Sequence, residues 1–203
     1  MQQFESNNFA SLCGTAAAAP VLSHVSRGER FFCVPVCAAR LSGASDTLNV
    51  LVRERLLRRT PLQIGERVSI EGEVRSFNNQ SGVGARLVIA LFCRALALEG
   101  ETQPDENLVR LTGTLCKEPV LRVTPRGREI CDMMLAVNRR CARSDYLPCI
   151  AWGERAARAS AWRVGDVVSL EGRFQSRDYR KQTESGVETR TAYEISAAEI
   201  ERT

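Results

Sequence analysis

Three aromatic residues stand among arginines in the C-terminal half of the sequence: Tyr146, Trp152 and Tyr179. Tyr146 and Trp152 belong to a short apolar run, Asp145 to Gly153, which reads as a strand closed by a glycine. An arginine-rich turn, Asn138 to Arg143, precedes it. Tyr179 lies in a polar run, Arg177 to Lys181, with nothing apolar on either side. Flat rings interleaved with guanidinium groups on strands and hairpins can stack on bases while the cations follow phosphates. The alternative is packing on a barrel surface, because aromatics favour strands. The polar flanks of Tyr179 favour stacking.

Arg122, Arg139, Arg140, Arg177, Arg180 and Lys181 surround these rings in sequence and are the candidate phosphate ligands. A solvated charged face is the competing reading. The N-terminal half offers Arg40, Arg53, Arg75 and Arg86. Catalytic chemistry finds little support. His24 is the single histidine, and no cysteine is marked as its nucleophilic partner. The acids are scattered singly, whereas a metal-dependent nuclease needs them to converge. None of the eight cysteines forms a Cys-x-x-Cys pair, so no zinc site is expected. Most lie among apolar residues, as reduced thiols of a cytosolic protein do. Gly82-Val83-Gly84 lacks a following helix signal and is a weak nucleotide-binding pattern. No cofactor is implied.

The elements that must position the rings follow from an internal repeat. Asn8, Leu12, Gly14, Thr15, Pro20, Arg40, Asp46 and Leu48 recur 99 residues later as Asn107, Leu111, Gly113, Thr114, Pro119, Arg139, Asp145 and Leu147. Gly65, Val68, Glu71, Gly72 and Ser76 recur 100 residues later as Gly165, Val168, Glu171, Gly172 and Ser176. The 203 residues therefore contain two copies of one unit, and 44% hydrophobic content supplies a core for each. The expected division is 1–98 for the first unit, an acidic linker at 99–106 and 107–203 for the second. Net charge is +4 overall, but it is +4 in each unit (11 − 7 and 17 − 13) and −4 in the linker.

The second unit reads as five strands: Leu108–Leu115, Arg128–Val137, Leu147–Trp152, Val167–Ser176 and Arg190–Ile200. Thr124 to Gly127 is a turn, Glu184 to Gly186 closes the last hairpin, and a helix from Glu154 to Trp162 separates strands three and four. In the first unit the matching helix, Arg53 to Thr60, ends at Pro61. Trp162 is expected in the core. Glycines at 14, 72, 113 and 172 read as bends in a small barrel. This order predicts an all-β chain of two tandem OB-fold five-stranded barrels, each with one short helix. The opening residues, Met1 to Glu5, show no signal-peptide pattern, and no apolar run approaches a membrane helix.

Several stretches resemble bacterial single-stranded DNA-binding proteins: Asn107 to Leu115 with Glu118-Pro119, Leu135 to Arg139, Tyr146 to Gly153, and Gly165-Asp166 with Val168 and Glu171-Gly172. The similarity covers nearly all of 107–200 and extends more weakly over 7–97. It implies OB-folds that hold single-stranded DNA on aromatic platforms, here at Tyr146, Trp152 and Tyr179. A further platform position falls on Cys141. The first-unit equivalents are Thr47, Arg53 and Asn79, so that copy is expected to be poor in stacking rings. The resemblance also implies a cytoplasmic, nucleoid-associated protein without catalysis. Its roles would be in replication, recombination or repair. Four OB-folds would be grouped as a homodimer. Many members recruit replication proteins through an acidic tail; Glu199 to Thr203 shows none. The alternative is an OB-fold module that mainly docks replication proteins, as the primosomal relatives of the family do.

Overall fold

The computed structural model describes residues 7–79, 87–139, 142–183 and 186–203, the side chains of Lys181 and Thr183 apart. The first unit runs β1 (Asn8–Ala16), β2 (Val21–Ser26), β3 (Glu29–Ala39), β4 (Ser45–Arg53), α1 (Glu54–Arg59), β5 (Arg67–Asn78) and β6 (Leu87–Leu98). The second repeats that order: β7 (Glu106–Leu115), β8 (Val120–Val123), β9 (Glu129–Asn138), β10 (Ser144–Trp152), α2 (Glu154–Ala159), β11 (Val167–Thr183) and β12 (Gly186–Arg202). These are two tandem OB-fold barrels. β2 and β8 are short additional edge strands that the sequence pattern does not reveal, because every residue in them is exposed and no alternation marks a buried face. β11 and β12 also run well beyond the expected Val167–Ser176 and Arg190–Ile200, as one long antiparallel hairpin.

Alternation builds each core. Leu48, Val50 and Val52 of β4 point inward, as do Leu147, Cys149 and Ala151 of β10, and all are buried. Trp162 follows α2 as a buried plug; Leu62 stands at the corresponding place after α1. The helices differ in the same sense. α2 buries Ala156 and Ala159, while α1 buries none of its residues. Each barrel closes through a first strand that serves two neighbours: β1 pairs with β5 and β3, and β7 with β11 and β9. The expected bends at Gly72 and Gly172 are register shifts in the β5–β6 and β11–β12 ladders. A Cβ at Gly172 would stand 2.2 Å from the Ser196 carbonyl oxygen, and at Gly72 2.1 Å from that of Phe92. Only glycine permits that approach.

β1 and β7 pair antiparallel with each other, from Asn8↔Leu111 to Cys13↔Glu106. The two barrels thus cover each other's open edges in one twelve-stranded sheet whose ends are β2 and β8. The segment between them is tied down at its end. The Asp105 carboxylate accepts from the Ala39 backbone N–H and from Arg67, both at 2.6 Å.

Candidate nucleic-acid interface

The outer row of β10 carries Tyr146, Pro148, Ile150 and Trp152, since its inner row fills the core. Tyr146 is 50% exposed, and its backbone N–H donates to Ser76 Oγ at 2.8 Å. Trp152 ends the strand and is half-buried. Its indole N–H donates to Ser196 Oγ at 3.1 Å, which fixes the ring's orientation and leaves it edge-anchored. Tyr179 stands on the extended part of β11, 37% exposed, with the Arg177 guanidinium 5.9 Å from its ring centre. All three aromatics therefore reach solvent.

Trp152 borders an open cleft of about 1140 Å³ that runs to the Arg40 loop of the first unit. Arg122, Arg126, Arg128, Arg173 and Arg177 line it together with Arg40. Asp46, Asp105, Glu171 and Glu194 line it too, so the cleft is basic but not uniformly so. Arg126, Arg128 and Arg173 are absent from the sequence-based candidates. The turn Thr124 to Gly127 could have indicated the first two, for it presents them beside β9; its closing bond, Gly127 N–H to the Thr124 carbonyl, is 2.8 Å. Arg173 had no such signal. Only the pairing of β11 with β12 sets it opposite Ser196, the residue that holds Trp152. Burial lowers the Arg173 pKa, with Arg40 adding repulsion.

Three candidate phosphate ligands have other partners. Asp145 is fully buried, and Arg139 Nε donates to it at 2.8 Å. Arg75 reaches the same carboxylate from the other barrel, also at 2.8 Å, and pairs with Glu73. Arg139 further donates to the Ser76 carbonyl at 2.9 Å, and the Ser76 N–H donates to Asp145 at 2.6 Å. The mirror arrangement joins Arg40 to buried Asp46 at 2.7 Å, with Ser176 N–H on Asp46 at 2.8 Å and Arg40 on the Ser176 carbonyl at 3.2 Å. The hydrogen bond to Asp46 raises the Arg40 pKa. Arg40, Arg75 and Arg139 therefore cross-link the barrels, and a phosphate would have to displace a buried carboxylate to claim them. Arg122 pairs with Asp132 at the surface, where each side chain is over 40% exposed. Arg180 is exposed. Arg53 belongs to a cluster of rings on the first unit. Arg86, Arg140, Cys141 and the pattern at Gly82 lie outside the described residues, and so does the side chain of Lys181.

Seven cysteines are described, all as free thiols. Burial raises the Cys93 pKa to about 12 and pushes the fully buried Cys149 up as well. Among the described residues no three His, Cys, Asp or Glu side chains converge as metal ligands. No helix among them is long and apolar enough to cross a membrane.

The model of the single-strand binding protein family matches residues 106–203. Single-stranded DNA-binding protein A of Bacillus subtilis is 35% identical over 83 residues, which are 37% of this chain and 48% of that protein. The single-stranded DNA-binding protein of Bacillus cereus is equally similar, at 35% over 83 residues, 37% of this chain and 49% of that one. The chain thus spans about half the length of the curated relatives it matches. The whole fold resembles the crystal structure of wild-type single-stranded DNA binding protein from Thermus aquaticus. The TM-score is 0.78 over 97% of this chain and 92% of that one, at 23% identity. At that identity the likeness is one of fold, and it includes both barrels.

Proposed function

We propose that the chain binds single-stranded DNA, without reading sequence and without catalysis. Base stacking on Trp152, Tyr146 and Tyr179 would supply affinity, and the cleft arginines would hold phosphates. The observation that carries this reading is Trp152: an indole tethered by its own N–H, open to solvent, at the edge of an arginine-lined cleft. The match of the second unit to the model of the single-strand binding protein family supports the same substrate. Roles in replication, recombination or repair follow from that kinship, as does a homodimer of two-barrel chains.

Titration with oligo-dT tests the reading. Affinity should fall as salt rises, with a log–log slope near −0.7 for each phosphate held. Stacking is not screened, so binding should outlast that of a basic peptide of equal charge. Trp152→Ala should weaken binding at least about tenfold, since one base–aromatic stack contributes on the order of 1–3 kcal/mol. Tryptophan fluorescence should be quenched through Trp152 and not through buried Trp162. An unchanged affinity in folded Trp152→Ala protein would refute the assignment. A protein that binds no oligo-dT at any salt would leave protein docking as the main role.

A further inference from the structure

The β11–β12 hairpin has two faces, and they look at different barrels. Residues directly opposite in a ladder point to the same side, and neighbours along a strand alternate. Arg173, Gln175, Arg177 and Tyr179 of β11 therefore share a face with Ser196 of β12, the residue that holds the Trp152 indole. Ser176 and Asp178 take the other face, opposite Tyr193 and Thr191. From Ser176 and Tyr193 outward, the two strands pair with each other and with no other described strand. Such a two-stranded ribbon is marginal in water unless one face is packed. This one packs its Tyr193 face onto β4 of the first barrel. The Ser176 N–H donates to buried Asp46 at 2.8 Å, and Ser176 Oγ accepts from the Thr47 N–H at 3.3 Å. The Tyr193 hydroxyl meets the Asn49 side chain, whose Oδ1 also lies 3.8 Å from the Cys33 thiol. Tyr193 is half-buried between that contact and Phe174 of its own core, with ring centres 5.8 Å apart.

The mirror contact lacks this polar seat. The repeat sets Ile89 at the place of Tyr193 and Pro148 at that of Asn49, and neither side chain can hydrogen-bond. The hairpin on that side carries Asn79 where β11 carries Tyr179. The tyrosine seat thus accompanies the exposed ring. Stability alone does not require it, because Ile89 closes the equivalent place and is buried without it. Given base stacking on Trp152 and Tyr179, as read above, we propose that the first barrel is the seat of this ribbon, with Tyr193 and Asn49 as positioning residues for single-strand binding. Neither touches a base. They fix the ribbon at its root, so that Arg177 and Tyr179 stay in line with Ser196 and Trp152 on one continuous face. Without the seat the ribbon moves as a free hairpin, and a stack on Tyr179 has to offset the entropy of ordering it. Asn49 belongs to the outer row of β4, between Thr47 and Leu51. In the first barrel that row holds the neighbouring barrel's hairpin.

The test uses the full chain and oligo-dT of about 30 nucleotides, long enough to span both barrels. Tyr193→Ala should weaken binding about tenfold, close to the loss in Tyr179→Ala, because an unseated ring stacks poorly. Tyr193→Phe keeps the packed ring and should lose only about twofold. The deciding measurement is the coupling. In a Tyr179→Ala background, Tyr193→Ala should cost less than about twofold more, whereas Trp152→Ala should keep its full effect. Asn49→Ala, on the strand surface, repeats the test without disturbing the Phe174 core. It should weaken binding about threefold in the parent and add nothing beside Tyr179→Ala. Full additivity of either variant with Tyr179→Ala, or parental affinity in folded Tyr193→Ala or Asn49→Ala protein, overturns the proposal. So does an unchanged affinity in Tyr179→Ala while Trp152 is still quenched. Failure of the stacking reading shows separately, as unquenched Trp152 fluorescence in the parent chain with oligo-dT.

Discussion

Aspartates and thiols, more than the aromatics, show what single residues do for this chain. Among the described residues Asp46 and Asp145 are the two fully buried carboxylates, and each is held by arginine and by a backbone N–H of the opposite barrel. The thiols carry a pH effect. Burial raises Cys93 from 9.0 to about 12, so the folded state keeps its proton where the unfolded chain has lost it. Stability from this group is complete below the unfolded value and is lost as pH rises toward the folded one. Between pH 9 and about 12 the Cys93 thiol should reduce the unfolding free energy by up to about 1.4 kcal/mol per pH unit. Urea midpoints at pH 8 and pH 10 should show the decline, and Cys93→Ala should flatten it relative to the parent. Equal slopes in the two proteins would count against the assignment. Alkylation of Cys93 and Cys149 in the native protein should be slow for the same reason.

At the scale of elements, β1 and β7 pair with each other, and two arginine–aspartate pairs, Arg40–Asp46 and Arg139–Asp145, each bind a serine backbone of the opposite barrel, Ser176 and Ser76. The links are unequal. Asp145 holds both Arg139 and Arg75, whereas Asp46 holds Arg40 alone among the described arginines. Removing one partner of a buried pair costs about 3–5 kcal/mol, because the other charge is left without compensation. Asp145→Asn, which strands two guanidinium groups 14% and 19% exposed, should therefore destabilise the chain by about 3 kcal/mol. Asp46→Asn, which strands one that is 25% exposed, should cost less. Denaturant unfolding of both variants checks the order. If oligo-dT affinity rises in Asp145→Asn while stability does not fall, these arginines serve DNA rather than the seam.

At the scale of the molecule, one chain already joins two barrels, yet the sheet still ends in the exposed strands β2 and β8. Val21, Val25, Val120 and Val123 on those ends are between 55% and 65% exposed. Uncovered apolar edge strands favour further association. We expect a homodimer, with sedimentation giving twice the chain mass at micromolar concentration. Val25→Lys with Val123→Lys should shift the protein toward monomer if those ends form the contact. A parent that sediments as a monomer with full DNA affinity would remove the dimer from the mechanism.

The amino-acid sequence by itself determined the two-copy architecture, the barrel class, the place of each helix and the burial of Trp162. Those features are written in local signals: period-two alternation, glycines at bends, turn residues, and a repeat in constant register. It also marked Tyr146, Trp152 and Tyr179 as rings that reach solvent, since polar or strand-end surroundings are visible one residue at a time. What only the tertiary structure decided was the partner of each charge. Arg40, Arg75 and Arg139 read as phosphate ligands because a sequence shows a cation without its distant carboxylate; Asp145 is 70 residues from Arg75. The repeat itself points the same way, for Asn8, Arg40, Asp46 and Ser76 recur as Asn107, Arg139, Asp145 and Ser176, and these residues join strands and barrels. The rings of the first unit escaped notice for a related reason. Phe31, Arg53 and Phe92 belong to three strands, and only their pairing brings a guanidinium between two phenyl groups.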